Sequence, residues 1–194
     1  RFVRRMTWRN ERSLFKRICA KSGKEIITMF HPDAPLVVYD RDIWWGDDWN
    51  ALDYGMEYDF TRTFFDQFKE LLSKVPLQSL GNTHVINSPY VNHSADCQDC
   101  YLLYGSWKNE RVHYSNGMVD CKDSFDMYKN AKVEKSYGSV LCSSLFKTNF
   151  SYNSDESIDS LFLEHCVNLQ DCIGCVNLRN KRYCINNVQY SKEE

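Results

Sequence analysis

Proline disappears halfway along this chain: Pro32, Pro35, Pro76 and Pro89 all precede residue 90, and none follows. A sheet-like repeat cannot hold proline inside its hydrogen-bond ladder. The absence therefore predicts two domains, one over 1–88 and one over 89–194. Long apolar runs are missing as well. No stretch approaches the roughly 18 residues of a membrane span, and no apolar segment near the N-terminus has the form of a secretory signal. These absences predict no membrane partner and a cytoplasmic location. Arg1 is not a natural first residue, so the chain is expected to be a fragment or a processed product. Neither a Gly-x-Ser-x-Gly elbow nor a phosphate loop occurs. Thr148 is the only threonine after Thr83, which excludes the threonine ladders of ice-binding solenoids. Gly105, Gly117, Gly138 and Gly174 are the only glycines of the C-terminal half, too few for the aliphatic-glycine step of hexapeptide acyltransferases.

What is present is an ordinary composition, unevenly distributed. The 194 residues are 43% hydrophobic with a formal net charge of −2, which describes a folded chain with room for one or two cores. Within residues 1–24, nine basic side chains face Glu11 alone, so the other 170 residues sum to −10. Arg1, Arg4, Arg5, Arg9, Arg12, Lys16 and Arg17 are the candidate nucleic-acid contacts, with RNA or DNA phosphates as the partner. The competing reading is a basic arm docked on acidic protein surface.

In the N-terminal part, Ser13–Cys19 and Glu25–Phe30 read as a β-hairpin, with Gly23 at its turn. Thr61 or Thr63 caps an amphipathic helix reaching about Lys74, where Pro76 stops it. Phe64, Phe65, Phe68, Leu71 and Leu72 form its apolar face, expected to lie across the open end of the repeat. Between hairpin and helix, Asp47, Asp48, Asp53, Glu57 and Asp59 alternate with Trp44, Trp45, Trp49, Tyr54 and Tyr58. That run is a candidate cation or sugar site, or a loop whose aromatics cover the solenoid flank while its acids stay wet.

The C-terminal half repeats. Every twelfth residue from Cys100 (Cys100, Val112, Ser124, Ser136, Thr148, Ser160, Cys172, Cys184) is Cys, Ser or Thr at seven of eight places, although those types supply only 20 of the 94 residues 97–190. The next column (Tyr101, His113, Phe125, Tyr137, Asn149, Leu161, Ile173, Ile185) is large and apolar at six of eight. A weaker recurrence at twenty-four, Asp96-Cys97 and Asp99 returning as Asp120-Cys121 and Asp123, favours about four flattened coils of twenty-four residues over coils of twelve. Either way the fold class is mainly β: a small parallel β-solenoid with a 12/24-residue period, preceded by an α+β cap of one hairpin and one helix.

Cys97-Gln98-Asp99-Cys100 and Cys172-Ile173-Gly174-Cys175 have zinc-ligand spacing, but at about 4.8 Å per coil the two pairs lie too far apart to share one ion. One pair with Cys121 or Cys166 stays open, as does a disulfide between stacked thiols such as Cys97 and Cys121. The favoured reading of the eight cysteines after residue 90 is small buried hydrophobes, reduced in a cytoplasm. His165 and Cys166 are strand neighbours facing opposite ways, so no nucleophile pair forms.

Arg9-Asn10-Glu11-Arg12 through Phe15-Lys16-Arg17, Ser22-Gly23-Lys24-Glu25-Ile26-Ile27, Trp44-Trp45, Phe64-Phe65-Asp66-Gln67-Phe68 and Asn177-Leu178-Arg179-Asn180-Lys181 together resemble a family of predicted cysteine-rich repeat proteins of uncultured ultra-small bacteria. Members carry a zinc-ribbon-like segment just before the point that matches Arg1. The resemblance thus implies zinc upstream and no cofactor within this fragment. Members are also richer in cysteine, and Ser124, Ser136 and Ser160 stand at positions that could be Cys elsewhere, which favours packing over metal binding for the repeat thiols. No activity comes with it. The expectation is a non-enzymatic binding or scaffold module whose partner is another protein or a second copy, with nucleic-acid or ribosome association through the basic arm as the alternative.

Overall fold

The computed structural model describes residues 12–194. The chain divides into two units at Gly81/Asn82, seven residues before the boundary that proline suggested. The reason is local. The strand Thr83–Ile86 already pairs with the strand Ala95–Gln98, twelve residues on, so the first coil begins ahead of Pro89.

The N-terminal unit opens with the expected hairpin. Strands β1 (Phe15–Ile18) and β2 (Glu25–Thr28) are antiparallel, and Gly23 takes a left-handed φ of +70° in the turn. Two short strands that sequence patterning does not reveal, β3 (Val38–Tyr39) and β4 (Leu77–Gln78), pair in parallel. Cys19, Ile26, Val38 and Tyr39 form the core, with Leu36, Ile43, Trp44 and Trp49 packed against them. The Cys19 sulfur sits at the centre, accepting the backbone N–H of Ser22 at 3.4 Å and of Asp40 at 3.2 Å. Helix α1 (Arg41–Trp44) follows directly.

Helix α2 (Phe64–Lys74) has Thr63 as its N-cap. Gln67, not the apolar stripe, is the residue it buries, while Phe64 and Phe65 are more than half exposed. The Gln67 amide is the cause: its Nε2 donates to the Asp59 carbonyl at 2.9 Å and its Oε1 accepts the Asp59 N–H at 2.8 Å. That pairing turns the Gln67 edge inward against the preceding loop.

The second unit is a parallel β-solenoid of about nine coils. Every strand pair and bridge along its stack is offset by twelve residues, as in Lys122↔Glu110 and Cys172↔Cys184. The coil is therefore twelve residues and not the twenty-four that the sequence favoured. The recurrence at twenty-four reflects alternating charge on successive coils, since Arg111 lies between Asp99 and Asp123 and ion-pairs with the latter at 2.5 Å.

Within each coil the unit is three residues: one inward, one outward, one at a corner. Every third residue from Ser88 through Cys175 is buried. Every third residue from His93 through Asn186 has positive φ. Four left-handed corners thus close a square coil with four three-residue sides. Left-handed backbone is tolerated best by Gly, Asn and Asp, and half of those corner residues are of these three types. Outward residues carry the inter-coil ladder. The Trp107 N–H, for example, donates to the Met118 carbonyl at 2.8 Å, and the Trp107 carbonyl accepts the Asp120 N–H at 2.9 Å.

The inward N–H groups explain the composition of the core. They point into the solenoid and need acceptors there. Where it is Ser, Thr, Asn or Cys, the inward side chain one coil earlier can supply one. Ser106 Oγ accepts the Met118 N–H at 3.0 Å and donates its own proton to the Tyr104 carbonyl at 2.8 Å. Cys142 acts alike, its sulfur accepting the Ser154 N–H at 3.4 Å and its thiol donating to the Val140 carbonyl at 3.2 Å. Leu103, Met118, Val133, Leu145 and Leu163 fill the remaining volume. At the far end, the strand Arg179–Ile185 turns back antiparallel into Val188–Gln189, which pairs part of the last open edge.

Candidate interaction surface

The four sides of the coil, 1 to 4, have outward residues that begin at Asn92, Ala95, Gln98 and Tyr101 respectively. The large column anticipated in sequence is the outward column of side 4, so it lies on the surface and not in the core. Tyr101, Phe125, Tyr137, Ile173 and Ile185 are all exposed. The corner between sides 4 and 1 continues it with Tyr114, Phe150 and Phe162, also exposed.

The rings interlock along the axis. Tyr90 meets Tyr101 at 5.4 Å and Tyr101 meets Tyr114 at 5.5 Å, both edge to face. His113 stacks on Phe125 at 5.0 Å, and Phe150 stacks on Phe162 at 5.1 Å and stands edge-on to Tyr137. Gly138 makes room for this: a Cβ there would come within 3.0 Å of the Phe150 ring. Of the seventeen positions in this column and corner, from Tyr90 to Asn186, Asp126 alone is charged.

Side 3 and its corners differ in kind. Arg111 bridges Glu110 and Asp123, Lys122 reaches Glu110 at 3.2 Å, and Lys147 lies 3.8 Å from Asp159. The Arg111 guanidinium beside Asp123 holds that carboxyl below its ordinary range. Charge here is paired across neighbouring coils, whereas side 4 carries next to none.

Other sequence-predicted groups fall elsewhere. Arg1, Arg4, Arg5 and Arg9 lie outside the described residues. Arg12 is exposed, and Lys16 pairs with Glu25 at 2.7 Å. Arg17 donates to the carbonyls of His31, Ala34 and Leu36, so its guanidinium staples a loop. Asp47, Asp48, Asp53 and Glu57 are all exposed. Trp44 and Trp49 pack with Tyr39 and Tyr54 inside their own unit.

The cysteine constellations dissolve into packing. A Cys-x-x-Cys pair is two inward residues on adjacent sides of one coil. Cys100 and Cys172 are six coils apart, roughly 29 Å. Cys97 and Cys121 are two coils apart, roughly 10 Å, beyond disulfide reach. Asn109 fills the place between them, donating to the Cys97 sulfur at 3.9 Å and accepting the Cys121 N–H at 3.1 Å. All nine cysteines are free and buried. Among the described residues no three His, Cys, Asp or Glu side chains stand where they could hold a metal, so one pair plus Cys121 or Cys166 does not make a site. His165 is a corner residue bonded to Asn153 at 2.8 Å, while Cys166 points inward.

Burial pushes the Cys172 thiol up to about 11 from an ordinary 9.0, and raises Cys121, Cys142 and Cys166 for the same reason. Cys97 moves the other way, because the Cys100 thiol donates to it. A thiol held neutral in the fold but ionising near 9 when unfolded stabilises the native state fully below that pH. That contribution is lost as pH rises towards 11. The urea midpoint is accordingly expected to fall between pH 8 and 10.5, and Cys172→Ser, which cannot ionise, to fall less over the same interval.

No family model matches the chain, and no curated protein does. Among solved structures, an LpxA UDP-N-acetylglucosamine acyltransferase from Bacteroides fragilis aligns at 12% identity with a TM-score of 0.19, over 54% of this chain and 65% of that one. A mutant of perosamine N-acetyltransferase from Caulobacter crescentus, in complex with CoA and GDP-perosamine, aligns at 13% with a TM-score of 0.13, over 61% and 57%. The chain thus spans less than two thirds of either protein. Similarity at this level carries no argument about function. Among the described residues, no helix is long and apolar enough to cross a membrane.

Proposed function

We propose that the chain is a non-catalytic binding module whose working surface is side 4 of the solenoid with its corner towards side 1. One observation carries this: a continuous ladder of exposed rings and aliphatic side chains with a single charge, on a protein whose neighbouring side 3 is laced with ion pairs. Exposed apolar surface of this extent marks an interaction site, since single proteins seldom leave it bare. The four-sided coil gives it a rigid base, because outward residues such as Phe125 are bonded to the next coil through both N–H and carbonyl.

The test is a photo-crosslinking residue placed at Phe125 on side 4, with Glu134 on side 3 as the control, irradiated in the source cell or its extract. Adducts are expected from position 125 and not from 134. Adducts from neither, or equally from both, would sink the proposal. Association through side 4 should also be nearly indifferent to salt. Binding that weakens tenfold or more between about 50 and 200 mM salt would instead favour phosphate contacts by the basic arm.

A further inference from the structure

We infer that the occupant of side 4 is side 4 of a second copy of this chain, two solenoids lying face to face; this rests on the proposal that side 4 is a binding surface. Three observations favour a copy over another partner. First, side 4 is regular: Tyr101, Phe125, Tyr137 and Ile173 project from one column at a constant twelve-residue step. A partner must match that spacing over seven coil steps from Tyr101 to Ile185, roughly 34 Å at about 4.8 Å each. A second solenoid of the same repeat does so by construction, and a two-fold axis relating the copies makes each contact occur twice.

Second, the area suffices. With a side and its corner rings on the order of 15 Å wide, each copy buries about 500 Å² and the pair about 1,000 Å², the lower limit for a specific interface. Third, the chemistry is self-matching. Rings and aliphatic side chains meet their own kind, with Asp126 the single charge that each copy brings, whereas a nucleic acid or a charged peptide would find only that one charged group within the column and its corner.

Sedimentation velocity of the full chain at about 5 and 100 µM tests this. At the higher concentration the mass is expected to approach twice 22.9 kDa. Tyr137→Lys with Ile173→Lys should leave a monomer at both concentrations, with an unchanged far-ultraviolet circular dichroism spectrum to show that the coils are intact. Val119→Lys with Ile158→Lys, on sides 2 and 3, should behave as the wild type. A wild type that stays monomeric at 100 µM, or a dimer that the side 4 pair leaves whole, overturns the inference. The crosslinker at Phe125 separates that failure from the failure of the binding proposal. A monomer whose adducts contain another molecule overturns the second copy alone, and a monomer without adducts overturns both.

Discussion

Replacing Asn130 by Ala is expected to destabilise the protein by about 3–5 kcal/mol, far more than an ordinary surface substitution. Asn130 is fully buried at an inward position. Its Oδ1 accepts the Cys142 N–H at 2.6 Å and its Nδ2 donates to the Ser139 carbonyl at 2.7 Å. Alanine leaves the Cys142 N–H buried without a partner, at about 1–3 kcal/mol, takes one of two donors from the Ser139 carbonyl, which keeps the Tyr128 N–H at 3.2 Å, and opens a cavity besides. For a chain of this size the thermal midpoint should drop by roughly 10 °C. Asn130→Ser should recover about half of the loss, because a serine hydroxyl accepts the N–H one coil on, as Ser106 does for Met118. Gln98→Ala, at an exposed outward position, should change stability by less than about 0.5 kcal/mol. Equal losses at positions 130 and 98 would mean that inward side chains merely fill space.

The second large effect separates counting from content. Deleting residues 144–155 removes one whole coil and preserves the order inward, outward, corner across the junction. The product should fold as a solenoid one coil shorter, with a modest loss, because each coil contacts only its neighbours. Deleting Ser144 alone should do far more damage although eleven fewer residues are lost. Ser144 is a corner with φ of 53°. Without it one coil has eleven residues, cannot close four three-residue sides, and misaligns its ladder with both neighbours. We expect a loss above roughly 5 kcal/mol or two separate unfolding transitions. Urea denaturation of both variants, followed by circular dichroism, decides the matter, and a twelve-residue deletion that hurts more would contradict the square coil.

Much of the architecture is legible in residue types. The twelve-residue step, the absence of proline beyond residue 89, the hairpin turn at Gly23 and a helix cap at Thr61 or Thr63 all rest on local chemistry that needs no distant contact. The step of three is present there too. All eight cysteines from Cys97 to Cys184 fall in one phase of a three-residue count, which is why Cys-x-x-Cys arises twice without metal. Helix and strand periods pass over it, because a corner at every third residue belongs to neither.

The interaction surface is half visible in the same way. The column from Tyr101 to Ile185 stands out by size, but size alone would assign it to a core. Its exposure follows from phase. Inward places are taken by residues one position earlier, whose hydroxyls, thiols and amides are needed to bond inward N–H groups, and an aromatic ring there could neither fit nor accept those bonds.

The sequence by itself therefore determined the repeat, the class of fold and the chemistry of each column, because these depend on spacing and on what a side chain can bond. Tertiary structure alone decided which column faces water, how many residues close a coil, that Gln67 rather than the phenylalanines is the buried residue of α2, and that Arg17 is occupied within its own unit. Those outcomes depend on bonds between residues that no local pattern relates: Gln67 to Asp59, Arg17 to Leu36, and inward N–H groups such as that of Met118 to the side chain one coil before.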